Sequence, residues 1–504
     1  MLAATAMFHS FIQDNFVTNT LLPWLESDEA KSFCSLQYLA FFVGVFILYW
    51  ALPWRRARVW LLLVASITFY ACWNKQLALL VCATTLLDYS LARGMEHASS
   101  PRWRRLMLGA SLMANLGLLV YFKYTNFFLD SLGALLRSIH LAPSLPVLQV
   151  IVPFGISFYT FEAISYAMDV YRRRVPAERS LPNFMLFILF FPHLIAGPIV
   201  RPRRFLPQVL RPKRWSWPRA QLGVQLFLLG LFKKMAIADH MEEYVRPVFA
   251  GPGSYGNAAV WMAVIGFAIQ IYCDFSGYTD MAIGSAHLLG YKLTRNFNMP
   301  YLATNVSDFW HRWHISLSTW LRDYLFIPLG GSRGGKWKTY RNLLITMTLG
   351  GLWHGASWTF IVWGVLHGVY LIVHRAFRGF CKSLPILDQV LQSWPGTVLR
   401  VVATFLAVCV GWVLFRAATF ADAYTILHRL IVPHHGMGPP LPNRSMWCLL
   451  GLLVVCHGLA ASGLWKRWAP RLPAPVWGSG YALVLILALA LAPDSGKAFI
   501  YFLF

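Results

Sequence analysis

The chain has 504 residues, is 57% hydrophobic and only 13% charged, and carries a formal net charge of +24. Soluble domains carry about 25% charged residues, and here apolar runs of roughly 17–20 residues, long enough to cross a bilayer as a helix, recur from end to end. The runs lack period-two alternation, which excludes a soluble β-rich protein, and the basic surplus falls in short blocks between them, as in the cytoplasmic loops of a polytopic membrane protein rather than in a nucleic-acid binder.

Residues 1–36 are mixed in polarity, hold the acidic patch Glu26, Asp28 and Glu29, and show no cleavable signal peptide. Candidate spans follow at about 37–53, 58–74, 76–93, 105–122, 147–170, 221–243, 257–273, 341–353, 356–376, 396–415, 443–462 and 476–493. Placing Arg55 and Arg56 on the cytoplasmic side puts Arg102, Arg104, Arg105, the Arg172-Arg173-Arg174 block, Arg333, Lys336, Lys338, Arg341, Arg375, Arg378, Lys466, Arg467 and Arg471 there too. The expected fold is all-α: about 12 transmembrane helices plus re-entrant segments around a central tunnel, with both termini extracytoplasmic. By the same reading residues 1–36 form an extracytoplasmic segment, 37–376 the membrane core, 377–493 C-terminal transmembrane helices with an outer loop at 416–442, and 494–504 an aromatic extracytoplasmic tail.

Residues 184–200 are apolar but flanked by basic blocks at both ends, and Ala196-Gly197-Pro198 interrupts them, so a re-entrant element is expected. Residues 274–330 are too polar for lipid and too apolar for a solvated loop. The eight cysteines form no CxxC and read as small buried hydrophobes, and the outer-loop histidines His428, His434 and His435 lack a third ordered ligand, so no metal is implied.

The densest chemistry lies in NFNMPYLATNVSDFWHRWHISLSTWLRDYLFIPLGG, residues 296–331. Polar groups of this kind inside a membrane protein usually face the bundle interior and mark a site. Helical spacing puts Trp310, Trp313, His314 and Leu317 on one face and Arg312, Ser316 and Thr319 on the other; Arg322, Asp323 and Tyr324 follow. An interfacial helix with an aromatic belt is the competing reading. His354 stands in GGLWHGASW between two apolar runs, beside Trp353, and its neutral ring suits general-base work near pH 7. His367 is expected to pack. Glu162 and Asp169, Asp274 and Asp280, and Lys233 with Lys234 are ionisable groups at depth, expected to pair. A transporter with a buried proton relay remains open on these residues alone.

WHISLSTWLRDYLFIPLGG followed by GGLWHGASW resembles the membrane-bound O-acyltransferase superfamily, in its bacterial polysaccharide O-acetylation branch. VPFGISFYTFEAISYAMDVYRRR, FFPHLIAGPIVRPRRFLPQ, GLFKKMAIAD, YCDFSGYTDMAIG and NFNMPY carry the likeness across roughly residues 40–376. The resemblance implies an acyltransferase with His354 as its catalytic residue and His314 nearby, binding or orienting the donor. It implies acetyl-coenzyme A as donor, no metal, an extracytoplasmic SGNH-type acetyltransferase as partner, and a polysaccharide or cell-wall glycan as the final acceptor, reached from the bacterial inner membrane. A lipid or peptide acceptor is the other reading within the family. Trp310, Trp313, Ser316, Arg322, Asp323, Tyr324 and Trp353 become candidates for the tunnel or donor site. The tail FIYFLF resembles the ending seen in this branch, whose tyrosine, here Tyr501, is implicated as a transient acyl carrier.

Overall fold

The structure, a computed structural model, describes residues 33–141, 145–148, 151–194, 197–440, 443–468 and 471–492. Among these residues all regular structure is helical, and one isolated bridge pairs Tyr255 with Met437. The all-α, multi-pass expectation is met. Six helices are long and apolar enough to cross a membrane: Lys75–His97, Pro101–Ser138, Trp217–Ala250, Asn257–Leu288, Trp358–Cys381 and Trp394–Arg416. They coincide with six of the expected spans. The other expected spans fall on helices that are shorter or less apolar, among them Leu36–Ala51, Arg55–Ala71 and Ala474–Ala490. Outward-facing Leu79, Leu106, Met113, Leu132, Val373 and Leu399 give the long helices the apolar surface that a hydrocarbon environment requires.

The chain divides into two compact units. The first comprises Met1–Phe122, Gln149–Phe227 and Asp280–Leu293. Its centre is the helix Ile156–Tyr171, of which 14 residues are buried, so the stretch expected to span at 147–170 is enclosed in protein instead of facing lipid. This helix begins at Gly155, whose φ of 69° is left-handed and where a Cβ would stand 2.3 Å from the Leu194 carbonyl oxygen; only glycine fits. Residues 184–200 do not cross. They form two short helices, Leu181–Leu189 and Phe191–Leu194, too short to span a bilayer. The chain breaks first at Phe190, two residues before Pro192, and is non-helical again at the expected Gly197-Pro198; Ala196 lies outside the described residues. Glu162 holds this element down: its Oε1 accepts from the Val200 N–H at 2.7 Å and lies 3.5 Å from His193 Nδ1.

The second unit comprises Lys123–Leu148, Leu228–Thr279 and Thr294–Phe504. The expected pairing of acids and bases at depth is seen here. Lys234 Nζ lies 2.7 Å from Asp239 and 2.6 Å from Asp274, so one ammonium bridges two carboxylates away from water. The span expected to end at 273 runs on as regular helix to Leu288, and the polar residues Asp274, Ser276, Thr279 and Ser285 that follow are buried in protein rather than set against lipid. The outer loop expected at 416–442 contains a helix, Phe420–Ile431. Asn257 Nδ2 donates to the carbonyl oxygens of Arg429 and Val432, and Arg429 donates to those of Tyr255 and Gly253, which ties the helix to its own unit.

Candidate active site

His354 is the last residue of the helix Lys336–His354. The helix stops because Gly355 is extended, and Ser357 then caps the next helix, Trp358–Cys381, by accepting from the Thr359 N–H. The two helices form a hairpin whose crossing is glycine on glycine. A Cβ on Gly351 would lie 2.3 Å from the Phe360 carbonyl oxygen and 2.9 Å from Gly364 Cα, and one on Gly364 would lie 2.4 Å from the Met347 carbonyl oxygen. Side chains from Lys123 and Tyr124 close the helix end. Tyr124 Oη donates to the Leu352 carbonyl at 2.9 Å, and Lys123 Nζ donates to those of Trp353 and His354 at 2.7 and 3.0 Å. Three carbonyls with no partner in the helix are thereby satisfied, and a cation stands at the negative end of the helix dipole.

His314 is positioned by the opposite device. The helix expected to carry Trp310, Trp313, His314 and Leu317 on one face is broken: one helix covers Val306–Arg312, Trp313 is extended, and a second covers Ile315–Leu321. His314 itself is left-handed, with φ 41° and ψ 55°. A non-glycine residue in that region costs on the order of 1–3 kcal/mol and persists only where the surroundings enforce it. Asn296 supplies the enforcement. Its carbonyl oxygen accepts from the Ile315 N–H at 2.9 Å, and its Oδ1 accepts from the Ser316 N–H at 3.0 Å and lies 3.3 Å from His314 Nδ1. Asn298 N–H adds a bond to the Arg312 carbonyl at 2.9 Å.

The two histidines meet. His314 is 0% and His354 3% exposed, and their ring centroids are 6.4 Å apart. Trp353 touches both edge-on, at 5.9 Å from His314 and 5.0 Å from His354. Phe275 packs on His314 at 4.7 Å, and Trp363 and Phe415 pack on His354 at 5.1 and 5.4 Å. The aromatic wall buries the two imidazoles facing each other, with Lys123 beside His354, a setting in which a proton can be accepted and returned.

The other sequence candidates divide. Trp313 is buried at the helix break, stacked on Phe309 and 4.9 Å from Trp412, and Ser316 binds Asn296 through its backbone, so both support His314. Trp310 packs one layer away, on Trp363 at 5.9 Å and on His367 at 5.3 Å, and His367 lies in that aromatic layer as expected of a packing residue. Arg322 and Asp323 pair with each other at 2.8 Å with the arginine side chain 55% exposed, and Tyr324 packs at a tilt on Trp320, with ring centroids 5.3 Å apart. Tyr501 lies outside the described residues. Sequence reasoning missed Lys123, Asn296, Phe275, Trp363 and Phe415. A lysine inside an apolar run, YFKY, was a usable signal for the first. The rest were ordinary residues until the fold brought them together.

These features define a helical membrane protein that buries two histidines beside each other. Residues 118–415 match the MBOAT, membrane-bound O-acyltransferase family. The chain belongs to this family and is an acyltransferase, which decides against the transporter reading. It is 44% identical over 401 residues to a probable alginate O-acetylase of Azotobacter vinelandii, covering 78% of this chain and 76% of the relative. It is 37% identical to a peptidoglycan O-acetyltransferase of Helicobacter pylori, covering 77% of each chain. It is 30% identical to a teichoic acid D-alanyltransferase of Bacillus subtilis, over 56% of this chain and 73% of the relative. Both histidines and all their described neighbours lie within the family match.

Proposed function

We propose that the chain is a membrane O-acetyltransferase that takes acetyl from cytosolic acetyl-coenzyme A and delivers it for O-acetylation of an extracytoplasmic polysaccharide or cell-wall glycan. The observation that carries this reading is the buried His314–His354 pair, at 6.4 Å, inside the family match. The alginate and peptidoglycan acetylases among the relatives support acetyl as the group and a glycan as its destination.

His354 is the general base. Its imidazole accepts the proton of an attacking hydroxyl as the oxygen forms a bond to the thioester carbonyl carbon. The C–S bond then breaks, and the leaving thiolate takes the proton back. The hydroxyl must come within about 3 Å of the ring. His314 orients the thioester. A phenol has an unperturbed pKa of about 10 and needs such a base at pH 7. Tyr501 as first acceptor makes the intermediate an aryl acetate, whose phenolate leaves more readily than a sugar alkoxide, so the acetyl group stays transferable to the sugar. An extracytoplasmic SGNH-type transferase receives the acetyl, with the tail 494–504 and both termini on that face of the bacterial inner membrane. The core 37–376 performs the transfer, and the helices within 377–493 present the outer surface. The exposed Arg333, Lys336 and Lys338 hold the donor's phosphates on the cytosolic side. The resemblance suggests no metal.

Membranes containing the protein are incubated with labelled acetyl-coenzyme A, and the C-terminal peptide is analysed by mass spectrometry. Label on Tyr501 that disappears in His354→Ala is the expected result. Acetylation of an external acceptor with an unlabelled tail replaces the relay by direct transfer. Full activity in His354→Ala sinks the assignment.

A further inference from the structure

A cavity of about 590 Å³ lies away from the histidine pair, within the second unit. It is walled by the C-terminal half of the helix Trp358–Cys381, the short helix Pro385–Gln392, residues 400–407 of the helix Trp394–Arg416 and the turn Thr304–Val306. Three permanent cations line it, Arg378, Lys382 and Arg400, against one carboxylate, Asp388. A neighbouring cavity shares Arg378 and Lys382 and adds Arg375. Among the described residues no carboxylate lies within ion-pair distance of any of these four cations. Asp388 instead accepts from Gln392 Nε2 at 2.6 Å. Arg400 uses one terminal nitrogen on Thr397 Oγ1 at 3.2 Å, while its Nε is buried with no hydrogen-bond partner. His374, Arg378, Lys382 and Arg400 line the same cavity, so the positive charge is concentrated at one place.

The rest of the wall is apolar. Val373 and Phe377 line the cavity and also face outward, 58% and 46% exposed, on a membrane-crossing helix. The short helix turns Ile386 and Val390 outward, Trp394 follows at its end, and Ile386 and Trp394 are each 79% exposed. A short amphipathic helix ending in an exposed tryptophan is built to lie at a membrane interface. The cavity therefore combines a cluster of cations with apolar wall residues that also face outward on a helix long and apolar enough to cross a membrane.

We propose that this cavity binds an anionic phospholipid, its phosphate held by Arg378, Lys382 and Arg400 and one acyl chain along Val373 and Phe377. Basic pockets between transmembrane helices on the cytoplasmic side take such headgroups, and the charge distribution of the chain puts Arg375 and Arg378 on that side. The occupant is a lipid and not the acyl donor, because the slot beside the cations is apolar and opens sideways.

The test uses the purified full chain in detergent, with defined lipids added and bound species counted by native mass spectrometry. Phosphatidylglycerol is expected to remain bound where phosphatidylcholine does not. The double variant R378Q/K382Q is expected to weaken its retention roughly thirtyfold, about fivefold per charge removed. R378K/K382R, which keeps both charges, is expected to retain the lipid, and this separates charge from folding. His354→Ala is expected to bind as the parent does, which keeps the result independent of the acetyl-transfer reading. Equal retention of the two lipids, undiminished retention in R378Q/K382Q, or displacement of bound lipid by millimolar coenzyme A or inorganic phosphate overturns the proposal.

Discussion

The two histidines of the site reach the same place by opposite routes. His354 ends an unstrained helix, and its position is set from outside by Lys123 and Tyr124 on three successive carbonyls. His314 stands in a gap between two short helices with a left-handed backbone, and its position is set by Asn296. A helix end is a low-energy conformation that needs only its last carbonyls satisfied. A left-handed histidine is a high-energy one that the surroundings must hold. The first design tolerates loss of a support, and the second does not.

Substitutions that probe this contrast fall in a definite order. Removing the proposed base by His354→Ala is expected to lower acetyl transfer by roughly 10²–10⁴-fold, with membrane insertion and thermal stability close to the parent; general-base contributions set that range. His314→Ala is expected to act on the donor, raising the KM for acetyl-coenzyme A more than it lowers kcat, and an unchanged rate at limiting donor counts against its role. Asn296→Ala removes the acceptor of the Ser316 N–H and the partner of the His314 ring. Leaving a buried donor unsatisfied costs about 1–3 kcal/mol, so a clear fall in melting temperature is expected together with a rate loss of about tenfold or more. Lys123→Met removes a cap from a helix that Tyr124 still holds, and is expected to cost about 0.3–2 kcal/mol of stability with the smaller rate loss of the two. If Lys123→Met proves more damaging than Asn296→Ala, the contrast between the supports is wrong.

The residues that face each other were visible in the sequence, but their arrangement was not. Ionisable and aromatic residues inside apolar runs marked His314, His354, Trp313 and Trp353, since burying such groups is costly without a use. The same rule marked Arg322 and Asp323, which pair with each other at 2.8 Å, and composition does not distinguish an inward face from a polar rim. Periodicity failed at Trp310–Leu317, where a regular helix was expected. Nothing in WHRWHIS lacks helix propensity; the break is imposed by Asn296, about eighteen residues upstream, through bonds that only the folded chain can make.

The sequence by itself determined the class of this protein: a multi-pass all-α acyltransferase with His314 and His354 as its candidate reactive pair. Hydropathy runs and dense motifs are local properties, and the bilayer forces the backbone of each run into a helix whatever its neighbours do. Tertiary structure alone decided which runs are enclosed, as with Ile156–Tyr171, where the 257 helix ends, and how two histidines forty residues apart come to 6.4 Å. Those outcomes depend on side chains meeting across the fold — Lys123 on the His354 helix, Asn296 on the His314 turn, glycine against glycine at 351 and 364 — and no window along the chain contains both partners.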